Sequence, residues 1–252
     1  MSFDVAAEAY DRFMGRYSRL LAPQLADLAS LEPGHRALDV GCGPGALTGE
    51  LVFRLGSASV AAADPSEPFV EAARARHPGV EVHLAAAEEL PFEADAFDAA
   101  FAQLVVHFMT DPVAGLAEMR RVTRPDGVVA ACVWDFAGGG APLSLFWEVA
   151  RELDSSVVDE SHLAGARQGH LSELFVAAGF RDVEETTLSI EREHAGFEEW
   201  WEPYTGGVGP AGTYVKTLDL ERRHALRDRC RALLPDGPFV LVSRAWAARG
   251  IV

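Results

Sequence analysis

Short apolar runs alternate with helix-periodic stretches along the first half of the chain. Residues 37–40 form an apolar run typical of a buried strand. Leu47, Leu51 and Leu55 then lie four residues apart, which predicts a helix. The same patterns predict strands at 59–64, 80–85, 98–106 and 128–134, and helices at 67–76 and from Pro112 onwards. Regular alternation of strands and helices predicts an α/β protein with a doubly wound, Rossmann-like parallel sheet.

The pattern changes after Trp134, where a glycine-rich stretch follows the fifth predicted strand. We predict helices at 143–153 and 171–178 and two final strands at 181–191 and 239–247, which makes seven strands. The chain then divides into an N-terminal helical cap segment (1–30), a core (31–192 and 237–252) and a cap insertion (193–236). The sequence therefore predicts a seven-stranded sheet with a small helical cap.

Three glycines follow the first predicted strand at alternate positions, Gly41, Gly43 and Gly45. Strand, glycine turn and helix bring the backbone close to a nucleotide-like ligand, because glycine has no Cβ to block the approach. Gly41, Gly43 and Ala46 also fit the loose dinucleotide pattern. Asp39 favours S-adenosylmethionine instead, since a carboxylate attracts its ammonium and sulfonium and repels a pyrophosphate. The alternative is that Asp39 only caps the turn.

A second acid stands at the position expected for ribose recognition. Asp64 ends the second predicted strand, 19 residues after Gly45. A carboxylate there accepts hydrogen bonds from both ribose hydroxyls. Because Asp64 precedes Pro65, a plain turn role is the alternative.

These motifs resemble the class I S-adenosylmethionine-dependent methyltransferases, in particular those similar to the ubiquinone/menaquinone-biosynthesis enzymes. The resemblance covers residues 36–134 and rests on ordered motifs: the run 37–45, Asp64, the run 87–92, Phe97-Asp98 and the run 121–127. It implies a mostly parallel sheet with an antiparallel edge strand. It also implies S-adenosylmethionine as cofactor and methyl transfer to an O, N or C atom of a small-molecule acceptor.

The resemblance further implies a set of cofactor-binding residues. They are Asp39, Gly41, Cys42, Gly43, Asp64, Pro65, Ala87, Glu88 and Gln103, with Tyr10 and Arg16 from the N-terminal helix. Arg16 is the candidate partner for the methionine carboxylate; the alternative is a solvated surface arginine. Ala86 departs from the family, which usually carries an aspartate there against the adenine amino group. We expect this loss to weaken binding by about 0.5–1.5 kcal/mol.

Candidate acceptor residues come from three segments: Tyr17, His107, and the insertion residues Trp200, Trp201 and Tyr204. His107 is also the candidate catalytic base, because the reference pKa of histidine suits proton removal near neutrality. The alternative is a structural histidine at a strand end. Two adjacent tryptophans cannot both point into one core, so one is expected to line a cleft or cover the sheet edge. The alternative for the insertion is a packing cap without substrate contact.

Composition narrows the range of partners. The 252 residues carry a formal net charge of −16, which disfavours nucleic acid. Cys42, Cys132 and Cys230 are scattered, which favours a reducing cytoplasm and no metal site. Because the sequence has no run of 18 apolar residues, we expect no membrane span. We also expect a monomer or homodimer. Two other functions stay open: an NAD(P)-dependent oxidoreductase, and a non-catalytic module that binds a nucleotide-like ligand.

Overall fold

The computed structural model describes residues 7–252, and within this range seven strands form one sheet. Its strands are β1 (Ala37–Val40), β2 (Val60–Asp64), β3 (Glu81–Leu84), β4 (Phe97–Gln103), β5 (Thr123–Trp134), β6 (Arg181–His194) and β7 (Phe239–Ile251). They lie in the order β3-β2-β1-β4-β5-β7-β6. Neighbours from β3 to β5 pair in parallel, and β7 runs antiparallel to both β5 and β6. The predicted Rossmann-like class is confirmed, with the antiparallel strand one position in from the edge.

Helices cover both faces and one end of this sheet. They are α1 (Ala7–Tyr10), α2 (Arg16–Asp27), α3 (Ala46–Leu55), α4 (Glu67–Arg76), α5 (Pro112–Val122), α6 (Ser144–Leu153), α7 (His170–Ala177), α8 (Phe197–Trp201), α9 (Gly209–Thr217) and α10 (Leu220–Ala232). A π-helical turn, Asp11–Gly15, joins α1 to α2. Short 3₁₀ helices lie at Ser57–Ser59, Val106–Phe108, Glu160–His162 and Glu202–Gly206. In the described part of the chain, no helix is long and apolar enough to cross a membrane.

Alternate residues along the central strands belong to different cores. Phe101 of β4 packs in the larger cluster with α2, α3 and α6, whereas Ala100 and Ala102 pack in a second cluster with α5 and α7. This two-sided burial explains why the central strands are continuous apolar runs. β2 and β3 follow β1 on one side, and the chain then crosses back to place β4 on the other side of β1, so strand order reverses between β1 and β4. Ligands of such sheets bind outside the carboxyl ends of the strands at this point.

The predicted ends of three strands were wrong. β4 ends at Gln103 rather than at 106, because Leu104 has a φ of 60° and turns the chain into the 3₁₀ helix Val106–Phe108. β6 and β7 run past their predicted ends because they pair with each other from Arg181 to His194. The predicted insertion therefore begins inside β6.

The cap is an integral part of the larger core. Trp200 and Trp201 are 0% and 4% exposed, and their rings pack against Tyr204 and Phe197. Neither tryptophan lines the cavity, because α8 lies between the sheet, α6 and the N-terminal helices, where both rings are buried. The other expected position, over the sheet edge, agrees with the contact between α8 and the edge strand β6. The prediction for residues 1–30 extends beyond the described part of the chain at 1–6.

Candidate active site

One cavity of about 450 Å³ opens at the carboxyl ends of β1, β2, β4 and β5. Its size lies within the range of small-molecule sites. Gly41, Gly43, Asp64 and Gln103 line it from the strand ends, and Tyr10, Phe13 and Met14 line it from the N-terminal segment. Ala86, Ala87 and Glu88 follow β3, and Val208, Gly209 and Pro210 close it from the cap. The fold thus brings the predicted nucleotide loop and the cap to one space.

The first two glycines of the loop have different surroundings. Gly41 has a φ of 68°, and a Cβ there would lie 2.3 Å from Cγ2 of Val105. Gly43 has a φ of 53°, but its Cβ would meet only Cε1 of Tyr10, at 3.9 Å. Internal packing therefore demands glycine at Gly41, whereas Gly43 leaves open space beside the cavity that a ligand can use.

Asp64 joins the loops that follow β1 and β2. Its Oδ2 accepts from the Gly43 amide at 2.8 Å, and its Oδ1 accepts from the Ser66 amide at 2.9 Å. Burial raises the pKa of Asp64. Each carboxylate oxygen carries a second lone pair, so both remain able to accept from ribose hydroxyls.

Asp39 lies beneath the glycine loop rather than on the main cavity wall. It is 1% exposed, and its Oδ2 accepts from the Thr48 hydroxyl at 2.6 Å. Burial raises its pKa to about 7. Oδ1 has no hydrogen-bond partner among the described residues, and neither has Oε1 of Gln103. Asp39, Gln103 and Cys42 line a small adjoining hollow. The two buried acceptor oxygens there can each accept a hydrogen bond from a donor such as an ammonium group.

The side of the cavity expected to hold adenine offers few polar side-chain groups for hydrogen bonding. Ala86 and Ala87 line the cavity beside Glu88. Oε1 of Glu88 accepts from the amides of Thr110 and Asp111, at 2.7 and 3.1 Å, which fixes the loop before α5. Glu88 therefore supports the wall, and its role in adenine recognition stays a prediction.

The structure brings Tyr10 to the cavity but not Arg16. The Tyr10 ring packs edge-on against Phe69, and both line the cavity. The Arg16 guanidinium instead pairs with Oε1 of Glu199 at 2.9 Å and donates to the Glu199 carbonyl at 3.0 Å. Because Arg16 ties the N-terminal helix to the cap, the geometry gives no support to its predicted role at the methionine carboxylate. No lysine or arginine is among the described lining residues.

His107 lines the cavity, but its electrostatics differ from the expectation. The residue is 7% exposed, and burial lowers its pKa to about 3. The ring is therefore neutral near pH 7 and a weaker base than an ordinary histidine, and its role as catalytic base stays a prediction. Its Nδ1 has no hydrogen-bond partner among the described residues. The residue lines the cavity, although Nδ1 itself is buried.

The other predicted acceptor residues do not reach the cavity. Tyr17, Trp200, Trp201 and Tyr204 are at most 4% exposed and pack inside the larger core. The structure places Glu160 at the cavity wall instead, an acid that the sequence did not single out. It lies in a polar stretch without any motif, so only the fold reveals its position.

Comparisons with known proteins agree with this arrangement. Residues 38–131 match the methyltransferase domain family. The chain is 32% identical over 213 residues to the demethylmenaquinone methyltransferase of Clavibacter sepedonicus, which covers 74% of this chain and 84% of that protein. The chain belongs to the class I S-adenosylmethionine-dependent methyltransferases. The cofactor of this family is S-adenosylmethionine, and the open glycine loop and the two unpartnered acceptors fit its adenosyl and ammonium groups.

Other relatives of this methyltransferase match it over different lengths. It is 35% identical over 129 residues to the malonyl-[acyl-carrier protein] O-methyltransferase of Serratia marcescens, and the match spans 49% of this chain and about half, 50%, of that protein. Among solved structures, phosphoethanolamine N-methyltransferase 2 of Haemonchus contortus superposes with a TM-score of 0.58 at 16% identity. That match covers 100% of this chain and 60% of that protein, and at this identity it shows a shared fold.

Proposed function

We propose that this chain transfers a methyl group from S-adenosylmethionine to an O, N or C atom of a small-molecule acceptor. The observation that carries the proposal is the cavity of about 450 Å³, which is lined both by the glycine loop with Asp64 and by apolar residues of the cap. The two halves suit a cofactor and an acceptor that meet in the middle. The named acceptors of the relatives differ from one another, so they do not identify the acceptor of this chain.

Each wall of the cofactor half has a proposed role. Asp64 accepts from the ribose hydroxyls, and Gly43 lets the backbone approach the adenosyl group. Asp39 and Gln103 accept from the ammonium group through their unpartnered oxygens. Pro65, Ala87 and Glu88 border the adenine, and Cys42 fills space in the loop as a small apolar side chain.

The protein contributes mainly by positioning the reactants. The bound cofactor supplies a methyl group on a positive sulfur, which is already a good leaving group. The apolar walls exclude water, and the cavity holds the nucleophile in line with the methyl group, which can supply much of the rate. The neutral His107 ring orients the acceptor by a hydrogen bond and does not have to remove a proton.

Calorimetric titration with S-adenosylmethionine, S-adenosylhomocysteine and NAD tests the cofactor half. We expect both sulfur compounds to bind and NAD not to bind. Asp64→Ala should weaken binding by about 1.5–3 kcal/mol, since the acceptor is charged. Asp64→Asn should cost less because one acceptor oxygen remains. Asp228→Asn, an exposed acid on α10, is the matched control and should bind like the parent. Equal affinity in all three variants would mean that another residue holds the ribose.

We further infer a reducing compartment, the cytoplasm, for this enzyme. Its three cysteines are buried and unpaired, and burial raises the pKa of each thiol. Such thiols persist where disulfides do not form. Action on a small molecule as a monomer or homodimer stays a prediction.

A further inference from the structure

Glu160 projects into the cavity from a firmly fixed loop. Asp159 precedes it and accepts from the Ser161 amide at 3.0 Å and from the Ser161 hydroxyl at 2.6 Å. Arg151 of α6 forms an ion pair with the same aspartate. These contacts hold the 3₁₀ helix Glu160–His162 against α6, so the position of Glu160 does not depend on a ligand.

The Glu160 carboxyl group is buried, and only one of its two oxygens accepts a hydrogen bond from a described residue. It is 3% exposed, and its Oε2 accepts from the Trp147 indole N–H at 2.8 Å. No described residue donates a hydrogen bond to Oε1. Burying such a group without full pairing is costly, and here it raises the pKa of Glu160 to about 7. An acid kept in this state is a common sign of a ligand-binding role.

Strand order places Glu160 in the acceptor half. The loops after β1 and β2 carry the cofactor residues, and β4 lies next to β1 and carries His107 beyond its end. β5 comes next and ends at Trp134, which lines the cavity together with Glu160 and Val208. Glu160 accepts from Trp147 of α6, the helix that follows β5, so we place it on the β5 side of the cavity, away from β2 and Asp64.

Charge along the cavity wall is of one sign. The charged lining residues described by the structure are Asp64, Glu67, Glu88 and Glu160, and no lysine or arginine accompanies them. Much of the remaining wall is apolar and includes Phe136, Leu143 and Trp134. An anionic acceptor would meet repulsion without any compensating cation, whereas a cation with an apolar body would satisfy Glu160.

We propose that Glu160 is the specificity-determining residue for the acceptor, which is a small apolar molecule anchored by a protonated amine on Oε1 of Glu160. His107 supplies the second polar contact through its ring, which lines the cavity. A protonated amine has no lone pair, so it anchors the acceptor and another atom receives the methyl group. This inference rests on the proposed methyltransferase function.

The test uses three probes with one aromatic body and different charge: phenethylamine, phenethyl alcohol and phenylacetate. Each is titrated into the full-length protein saturated with S-adenosylhomocysteine. We expect phenethylamine to bind at least about tenfold more tightly than the other two. Glu160→Gln keeps an acceptor for the Trp147 indole and should weaken amine binding by about tenfold, with little change for the alcohol. Glu71→Gln, an exposed glutamate on α4 that does not line the cavity, is the matched control and should bind like the parent.

The indole N–H resonance of Trp147 gives a second readout in the parent protein, because that group donates to Glu160. Addition of phenethylamine should shift it, and phenylacetate should not. The proposal is overturned if the amine binds no more tightly than the alcohol, even because neither binds, or if Glu160→Gln weakens both alike. Failure of the parent to bind S-adenosylhomocysteine would instead overturn the proposed function, which separates the two results.

Discussion

Gly41 and Gly43 both have a positive φ, but a side chain at each would have different consequences. At Gly41 the added Cβ would overlap Val105, and no flexible side-chain end can move aside. At Gly43 it would enter open space next to the cavity. The sequence pattern predicted that the loop needs glycine, but it could not separate the packing requirement from the ligand requirement.

The two glycines therefore predict two different phenotypes. Gly43→Ala should lower stability by only about 1 kcal/mol, the cost of a left-handed backbone for alanine, and should weaken S-adenosylmethionine binding at least about tenfold. Gly41→Ala should unfold at clearly lower urea concentration because overpacking costs about 1–3 kcal/mol more. Urea unfolding and calorimetry measure both effects. Wild-type affinity in a folded Gly43→Ala protein would remove that residue from the site.

The raised pKa of Glu160 links stability to pH. Its folded pKa of about 7 exceeds the ordinary value of 4.5. The stability that the buried neutral acid contributes is therefore complete below pH 4.5 and is lost as the pH rises through 7. The pKa values of Asp39 and His107 are also shifted. Both residues are present in the parent and in Glu160→Gln, so their contributions to the difference in stability cancel.

We expect Glu160→Gln to gain stability relative to the parent between pH 5 and pH 8, on the order of 3 kcal/mol. Glutamine mimics the neutral acid and has no charge to bury. Urea unfolding of both proteins without ligand at the two pH values gives this difference directly. A difference that does not change with pH would show that Glu160 titrates normally.

At the scale of elements, local patterns predicted the core well and the cap poorly. Asp111 begins α5 as predicted, since its side chain accepts from the amides of Val113 and Ala114 at 3.0 Å. Each strand and helix between 37 and 134 forms near its predicted position. The prediction for the cap failed because the position of its aromatic residues depends on neighbours in space rather than in sequence. Whether Trp200 lies in a cleft or in the core depends on α6 and the N-terminal helix, which are distant in sequence.

The buried position of Trp200 changes what its removal should do. Trp200→Ala should destabilise the protein by about 3–5 kcal/mol, because it opens a cavity in the larger core. Cofactor affinity of the fraction that remains folded should be close to that of the parent. Urea unfolding monitored by circular dichroism measures the loss. A stable variant with altered acceptor kinetics would favour the role in lining a cleft that the sequence suggested.

At the scale of the whole molecule, one core crosses the predicted divisions. The larger cluster joins Phe13 and Tyr17 of the N-terminal segment, Phe101 of the sheet, and Trp200 and Leu226 of the cap. The Arg16–Glu199 ion pair adds a polar tie between the two ends of the cluster. Periodicity within a segment can indicate that a face is apolar, but it cannot say which distant segment covers that face.

We therefore expect the three predicted parts to unfold together. Urea unfolding followed by tryptophan fluorescence and by circular dichroism should give superimposable single transitions, as in a two-state protein. Two of the five tryptophans, Trp200 and Trp201, lie in the cap, so fluorescence reports on the cap together with the core, and circular dichroism reports on the whole chain. Transitions at separate urea concentrations would show that the cap is an independent unit.

Because the core and the cavity share residues, ligand binding should raise the stability of the whole fold. Phe13, Met14 and Trp134 belong to the larger core and also line the cavity, so a molecule that fills the cavity binds only the folded chain. A ligand at a hundred times its dissociation constant stabilises a protein by about 2.7 kcal/mol. The melting temperature would therefore rise whenever a collection of amines contains the acceptor. A measurement of the melting temperature can therefore identify the acceptor, whichever of its atoms is methylated.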